Sequence, residues 1–238
     1  MNYNKLRKLY SGKAKTVYQS ENPDYLIMHF RDDTSAFDGV KKAAISGKGR
    51  INNLFNAHVM NLLAEAGIPI AFEKVLNNEE SLVKNLSMLP VECVVRNYTA
   101  GSICRRYNIV PSIALNPAMF EFFFKNDELH DPLINEDHIL AFGWANSAEI
   151  TEMRELSLKV NSVLNKFFNN RDLILVDFKL EFGKFKNKLY LGDEFTPDGC
   201  RIWDKQTKQV YDKDLFRKDL GDLVAGYTAA AEKLGFVV

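Results

Sequence analysis

At 238 residues the chain is long enough to bury one substantial core or two closely packed lobes. Its 31 Lys plus Arg are matched by 31 Asp plus Glu, which excludes the basic excess that a nucleic-acid partner would require. A hydrophobic content of 46% rules out disorder, and no apolar run approaches the length needed to span a membrane.

In chain order, the first third reads as β-rich. Leu6 to Tyr10, Thr16 to Ser20 and Tyr25 to Phe30 are strand candidates, with turns at Ser11-Gly12 and Asn22-Pro23-Asp24. Met1 to Arg7 carries no apolar signal-type run. The first turn leads through Gly12-Lys13-Ala14-Lys15, where Gly12 permits a tight turn and the two lysines alternate along the strand that leaves it. Such a β-turn-β can cover phosphates with point charges. It is not a Walker A loop, whose glycine-lysine pattern is absent from the chain. Asp33-Thr34-Ser35-Ala36-Phe37-Asp38-Gly39 and the Lys/Gly-rich stretch after it suit a substrate loop. A helix is expected from about Ile51 to Ala66, stopped by Gly67 with Pro69 beyond.

Ile68 to Leu76 and Ser81 to Lys84 read as extended, and a lobe boundary is expected between residues 84 and 85. Val91 to Arg96 is a short strand. It is followed by a small-residue turn and a helix start at Ser102, so that Arg96 and Ser102 offer an anion site. Lys125 and Asp127 lie in a loop with His130, which could be a base or a structural residue. Ser147 to Asn169 is a long helix whose apolar positions, Ile150, Met153, Leu156, Val160, Val163, Leu164 and Phe167, recur every three or four residues.

Leu173 to Phe185 and Lys188 to Glu194 form the most informative segment, a hairpin. Asp177, Lys179 and Glu181 share one face of an extended chain, and Val176, Phe178, Leu180 and Phe182 share the other. With a three-residue loop at 186 to 188, Glu181 stands opposite Asp193. The two carboxylates then give oxygen ligands of the kind Mg²⁺ takes beside substrate phosphates. A two-residue loop would send Asp193 to the other face. Pro197-Asp198-Gly199 turns the chain so that Arg201 returns toward the carboxylates. A final helix is expected from about Lys213 to Leu234, with Leu215, Leu220, Leu223 and Tyr227 inward. Cys93, Cys104 and Cys200 are odd in number and widely spaced, which suits reduced thiols of a cytoplasmic protein. The fold class is α+β. Taken singly, each charged segment also fits an ordinary solvated face.

Taken together, these segments resemble the SAICAR synthetase (phosphoribosylaminoimidazole-succinocarboxamide synthase) family from Leu9 to the C-terminal helix. The resemblance rests on Gly12-Lys13-Ala14-Lys15, Asp33 to Asp38, Val94-Val95-Arg96 with Ala100-Gly101-Ser102, and Lys125-Asn126-Asp127. It continues through Leu175 to Gly183, Gly192-Asp193-Glu194 and Pro197-Asp198-Gly199. It implies a kinase-like N-terminal β lobe (residues 1–84) and a larger α+β lobe of ATP-grasp type (85–238). It implies a ligase that uses ATP to join L-aspartate to carboxyaminoimidazole ribotide, in purine biosynthesis. By similarity, Gly12, Lys13, Ala14, Lys15, Lys125 and Glu181 bind ATP, and Glu181 and Asp193 hold Mg²⁺. Ser35, Asp38, Arg96, Ser102 and Arg201 bind substrate, while Asp177 and Lys179 lie at the reacting carboxylate. Partners are small molecules, with no nucleic acid and no membrane, and a homo-oligomer is compatible. A small-molecule kinase would share the lysine loop and carboxylate floor.

Overall fold

A computed structural model describes residues 3–36 and 39–238. Asp38, expected in the substrate loop, lies outside the described residues. The class is α+β, as expected, with antiparallel sheets.

The first sheet is formed by β1 (Lys5–Ser11), β2 (Lys15–Ser20), β3 (Tyr25–Phe30), β6 (Phe72–Asn77) and β7 (Glu80–Lys84), in the order β1-β2-β3-β7-β6. Between β3 and β6 the chain forms a small hairpin, β4 (Asp33–Ala36) with β5 (Lys41–Ala44), and then α1 (Lys48–Glu65). Gly67 follows α1 with φ +72°, the left-handed conformation that ends a helix at low cost for glycine.

The second sheet has the order β10-β9-β8-β11-β12 and is built from β8 (Ser87–Tyr98), β9 (Ala114–Phe124), β10 (Leu133–Ile134), β11 (Leu173–Phe185) and β12 (Lys188–Leu191). A further strand, β13 (Cys200–Asp204), pairs with the first half of β11. The helices α2 (Ser102–Tyr107), α3 (Glu136–Ala141) and α4 (Ser147–Asn169) lie along this stretch, and α5 (Asp214–Arg217) and α6 (Leu223–Leu234) close it. Asn146 and Glu149 form a capping box that sets the start of α4 where the sequence placed it. The main core joins Phe55, Val59, Met60 and Leu63 of α1, Met153, Val160 and Leu164 of α4, and Phe178, Leu180 and Phe182 of β11. That apolar packing holds the opposite, charged face of β11 toward the site. Among the described residues, no helix is long and apolar enough to cross a membrane.

Two expectations are corrected. The β11–β12 loop has two residues, not three: Phe185 pairs with Lys188 and Phe182 with Leu191. Lys186 and Asn187 both take positive φ, 50° and 64°, the turn shape whose twist matches that of the flanking strands. Glu181 therefore does not pair with Asp193; its carbonyl accepts from Gly192 N at 2.8 Å, and the strand ends at Leu191. The second correction is the final helix, which is broken into α5 and α6. Asp219 has φ +52° and Gly221 φ +150° between them, and Asp222 restarts the helix by accepting from Ala225 N at 3.0 Å. Leu220, expected inward, is exposed as a result.

Candidate active site

The site is built on three neighbouring strands. Asp177 of β11 stands opposite Arg96 of β8 on one side and Arg201 of β13 on the other. Arg201 Nη1 donates to both Asp177 oxygens, at 3.0 and 2.8 Å, and Arg96 Nη1 donates to Oδ2 at 2.9 Å. Arg96 also gives Nε to Glu121 at 2.6 Å and Nη2 to Ser102 Oγ at 3.1 Å. Its planar fork thus ties β9, β11 and the start of α2 together, which a lysine could not do. Asp177 was expected beside Lys179 at the reacting carboxylate; its oxygens are instead engaged by the Arg96 and Arg201 guanidinium groups, an arrangement suited to aligning the arginines. Gly101, with φ +65°, leaves room for the Arg201 guanidinium: a Cβ there would lie 2.4 Å from Nη2.

Two residues further along the same face, Lys179 Nζ lies 2.7 Å from Glu181, 2.8 Å from Glu92 and 3.5 Å from Asp193. The register argument for Asp193 fails, yet its side chain still meets the Glu181 cluster, because the chain leaves the strand at Gly192 and folds back. Lys125 pairs with Glu181, and Lys15 with both Asp193 and Glu194. Burial opposes the negative charge of Glu181, but Lys179, Lys125 and Lys15 outweigh it and hold its carboxyl at about 2. Burial likewise opposes the Lys179 ammonium, and Glu181 and Glu92 more than offset it, so its proton is held more firmly than usual. Lys13 reaches Asp127 at 2.9 Å. The glycine turn before it is clamped by Arg31, which donates to the Gly12 carbonyl at 2.8 Å, while Arg31 N reaches the Ala14 carbonyl at 2.8 Å.

Two cavities of about 550 Å³ each adjoin at Lys13. One is lined by Gly12, Asp33, Ser35, Lys42 and Asp127. The other is lined by Arg96, Ser102, Arg106, Asp177, Lys179, Arg201, Lys213 and Arg217, with His130 at its edge. Ser35 belongs to the first cavity and does not join the arginine group. Arg106 and Glu121 come from between Ser102 and Lys125, where the sequence reading named no site residue. Arg106 pairs with Glu121 and donates to Ser102 Oγ at 3.1 Å. Glu194 and Glu92 were also missed. The available signals were that Glu194 follows Asp193 directly and that Glu92 lies four strand residues before Arg96, on the same face.

The donor set suits a hard cation. Glu181 and Asp193 offer carboxylate oxygens around one ammonium, with Glu194 adjacent. No group of three or more His, Cys, Asp or Glu among the described residues is arranged as a metal cage. The Glu181 and Asp193 carboxylates are of the kind that could hold Mg²⁺, which takes one or two carboxylates and completes its shell with waters and substrate phosphates.

The model of the SAICAR synthetase family matches residues 8–234. The phosphoribosylaminoimidazole-succinocarboxamide synthase of Hahella chejuensis is 56% identical over 231 residues, 97% of this chain and 98% of its own length. That of Pseudomonas aeruginosa is 54% identical, with the same coverage. The crystal structure of the Ehrlichia chaffeensis synthase superposes with a TM-score of 0.95 at 41% identity, covering 98% of this chain and all (100%) of that one. A SAICAR synthetase solved in complex with ADP superposes with a TM-score of 0.92 at 44% identity, covering 95% of this chain and 97% of its own. Collinear motifs, fold and full-length relatives agree: this chain belongs to the SAICAR synthetase family of ATP-dependent ligases.

Proposed function

We propose that the chain joins L-aspartate to the carboxylate of carboxyaminoimidazole ribotide, consuming ATP and giving SAICAR, ADP and phosphate, in purine biosynthesis. The observation that carries this reading is the division of one face of β11 into two ends. Arg96, Arg201 and Ser102 gather at Asp177, while lysines and carboxylates gather at Glu181. Four strand residues separate the ends by about 13 Å, room for a ribotide laid between a phosphate grip and a nucleotide. That a relative 44% identical was solved in complex with ADP supports nucleotide use by this chain.

In this reading Lys13, Lys15 and Lys125, with the Gly12–Ala14 turn, hold the ATP phosphates. Residues 1–84 form the lobe that covers the nucleotide, and 85–238 the lobe that carries substrate and metal. Glu181 and Asp193 would hold Mg²⁺, which when bound neutralises phosphate charge. Arg96, Arg201 and Ser102 bind the ribotide chiefly through its 5′-phosphate, and Asp177 keeps the two guanidinium groups aligned. Ser35, on β4 and in the first cavity, would serve the ribotide and aspartate, as would Asp38.

A carboxylate is a poor acyl donor. Transfer of the γ-phosphoryl to the ribotide carboxylate gives an acyl phosphate and ADP. The aspartate amine then attacks the acyl carbon, forming the amide C–N bond as the C–O bond to phosphate breaks, and the amine gives up its proton. Lys179 at the reacting carboxylate offsets the charge that builds there. Such chemistry needs positioning and charge neutralisation more than a covalent nucleophile.

A small-molecule kinase would use the same lysine loop. The test is ADP release from ATP and ribotide with and without L-aspartate. The ligase reading expects sustained release only when aspartate is present; equal release in both refutes it.

A further inference from the structure

Asp198 takes no part in the reaction as described, yet four side chains converge on it. Lys48 Nζ and Asn52 Nδ2, both from α1, donate to Oδ2 at 2.7 and 2.9 Å. The Tyr227 hydroxyl of α6 donates to Oδ1 at 2.7 Å, and Lys213 Nζ lies 3.8 Å from the same oxygen. Lys48 and Tyr227 are wholly buried, at 0% exposure. Burial opposes the negative charge on Asp198, but Lys213 and Lys48 hold its carboxyl at about 2, so it is ionised at neutral pH.

A buried ion network of this kind is a weak source of stability compared with an apolar core of the same shape. What it positions is therefore the question. Lys213 is attached to the Asp198 turn twice, through its ammonium and through its backbone N, which donates to the Pro197 carbonyl at 3.2 Å. Asp198 and Lys213 line the same cavity as Arg96, Arg201 and Lys179. The turn is also fastened to β11, because Lys179 N donates to the Gly199 carbonyl at 3.1 Å. Burial, helped by Arg217 and Lys48, holds the Lys213 ammonium below its ordinary range, and Asp198 is the carboxylate that opposes them. The carboxylate is thus the group that keeps this cation in place.

We propose that Asp198 is a positioning residue: it fixes the Lys213 ammonium in the cavity wall, where that ammonium is a further cation for the anionic ribotide. The inference rests on the ribotide reading of the cavity. Ribotide affinity is measured by calorimetry, and steady-state kinetics are run beside it, for the wild type, Asp198→Asn, Lys213→Met, the double variant and Tyr227→Phe. Asp198→Asn and Lys213→Met should each weaken ribotide binding by about tenfold or more with the ATP KM unchanged. The double variant should be no weaker than Lys213→Met alone, because both changes act through one ammonium. Tyr227→Phe should give a smaller loss in the same direction. Additive losses overturn the proposal, as does an Asp198→Asn variant that is less stable but binds the ribotide normally. If Asp198→Asn does not fold, the cycle of Tyr227→Phe with Lys213→Met decides by the same criterion. A wild type that binds the ribotide but shows no aspartate-dependent ADP release refutes the ligase reading while the binding cycle still judges this one. A wild type that does not bind the ribotide overturns the inference.

Discussion

Arg96→Lys is the sharpest single test of the arginine end of the site. Arg96 spans three partners at once: Glu121 at 2.6 Å, Asp177 at 2.9 Å and Ser102 at 3.1 Å. An ammonium presents its donors from one point and can keep one of the two carboxylates. Neither carboxylate is left alone, because Arg106 remains on Glu121 and Arg201 on Asp177. The cost is therefore below the roughly 3–5 kcal/mol of a stranded buried charge. It approaches one lost charge-assisted hydrogen bond, about 1.5–3 kcal/mol. In a chain of this size that corresponds to a fall in Tm of roughly 3–12 °C. Ribotide affinity should fall with it, since the fork no longer holds Ser102 and Asp177 in one plane. Differential scanning calorimetry and a ribotide titration read the two effects. A Tm within about 1 °C of wild type together with normal ribotide affinity would refute the reasoning.

Other outcomes follow from the same geometry. Gly101→Ala should raise the ribotide KM with little effect on ATP, because the new Cβ would fall 2.7 Å from the Arg201 guanidinium carbon in a backbone already at φ +65°; unchanged ribotide kinetics would count against Arg201 as its ligand. Asp193→Asn should raise the Mg²⁺ concentration needed for half-maximal turnover, and a normal Mg²⁺ dependence would remove Asp193 from the metal site. Stability should respond to pH in two separate windows. Glu181 is held at about 2, below its unfolded value, so its contribution is full above about 4.5 and is lost as pH falls toward 2. Asp212 is buried beside Asp214 and its carboxyl is pushed up to about 7. The folded state therefore binds more protons than the unfolded chain between about pH 4 and 7, and stability from this group declines as pH rises through that range. In urea unfolding at pH 5.5 and 7.5, Asp212→Asn should flatten that decline; an unchanged slope would assign it to other groups.

The parts of the fold set by local chemistry were legible in the sequence. The alternation identified β11 because Asp177, Lys179 and Glu181 face the site while Phe178, Leu180 and Phe182 enter the core; Val176, expected with them, packs instead with Ala100 and Ile174 because a bulge follows Leu175. The three- and four-residue apolar spacing marked α4, and the glycine at 67 bounded α1. The loop length of the hairpin was not legible. Lys186-Asn187 contains no glycine, yet both residues adopt positive φ, and one residue of loop moves the whole register. Glu121 and Arg106 were missed for a different reason. Their roles come from the pairing of Val94 with Glu121 across β8 and β9, a long-range fact that no local pattern carries. Asp198 was hidden because Pro-Asp-Gly reads as a turn, and its partners arrive from residues 48, 52, 213 and 227. The carboxylate-lysine cluster survived the wrong register because the long side chains of Lys15 and Lys179 bridge the two segments whichever way the strand ends.

The most direct measurement of the proposed chemistry is the fate of oxygen from the ribotide carboxylate. With that carboxylate labelled with heavy oxygen, and with ATP and L-aspartate supplied, the account predicts one labelled oxygen in the inorganic phosphate for each SAICAR formed. Unlabelled phosphate, or ADP formed at the same rate without aspartate, would contradict it.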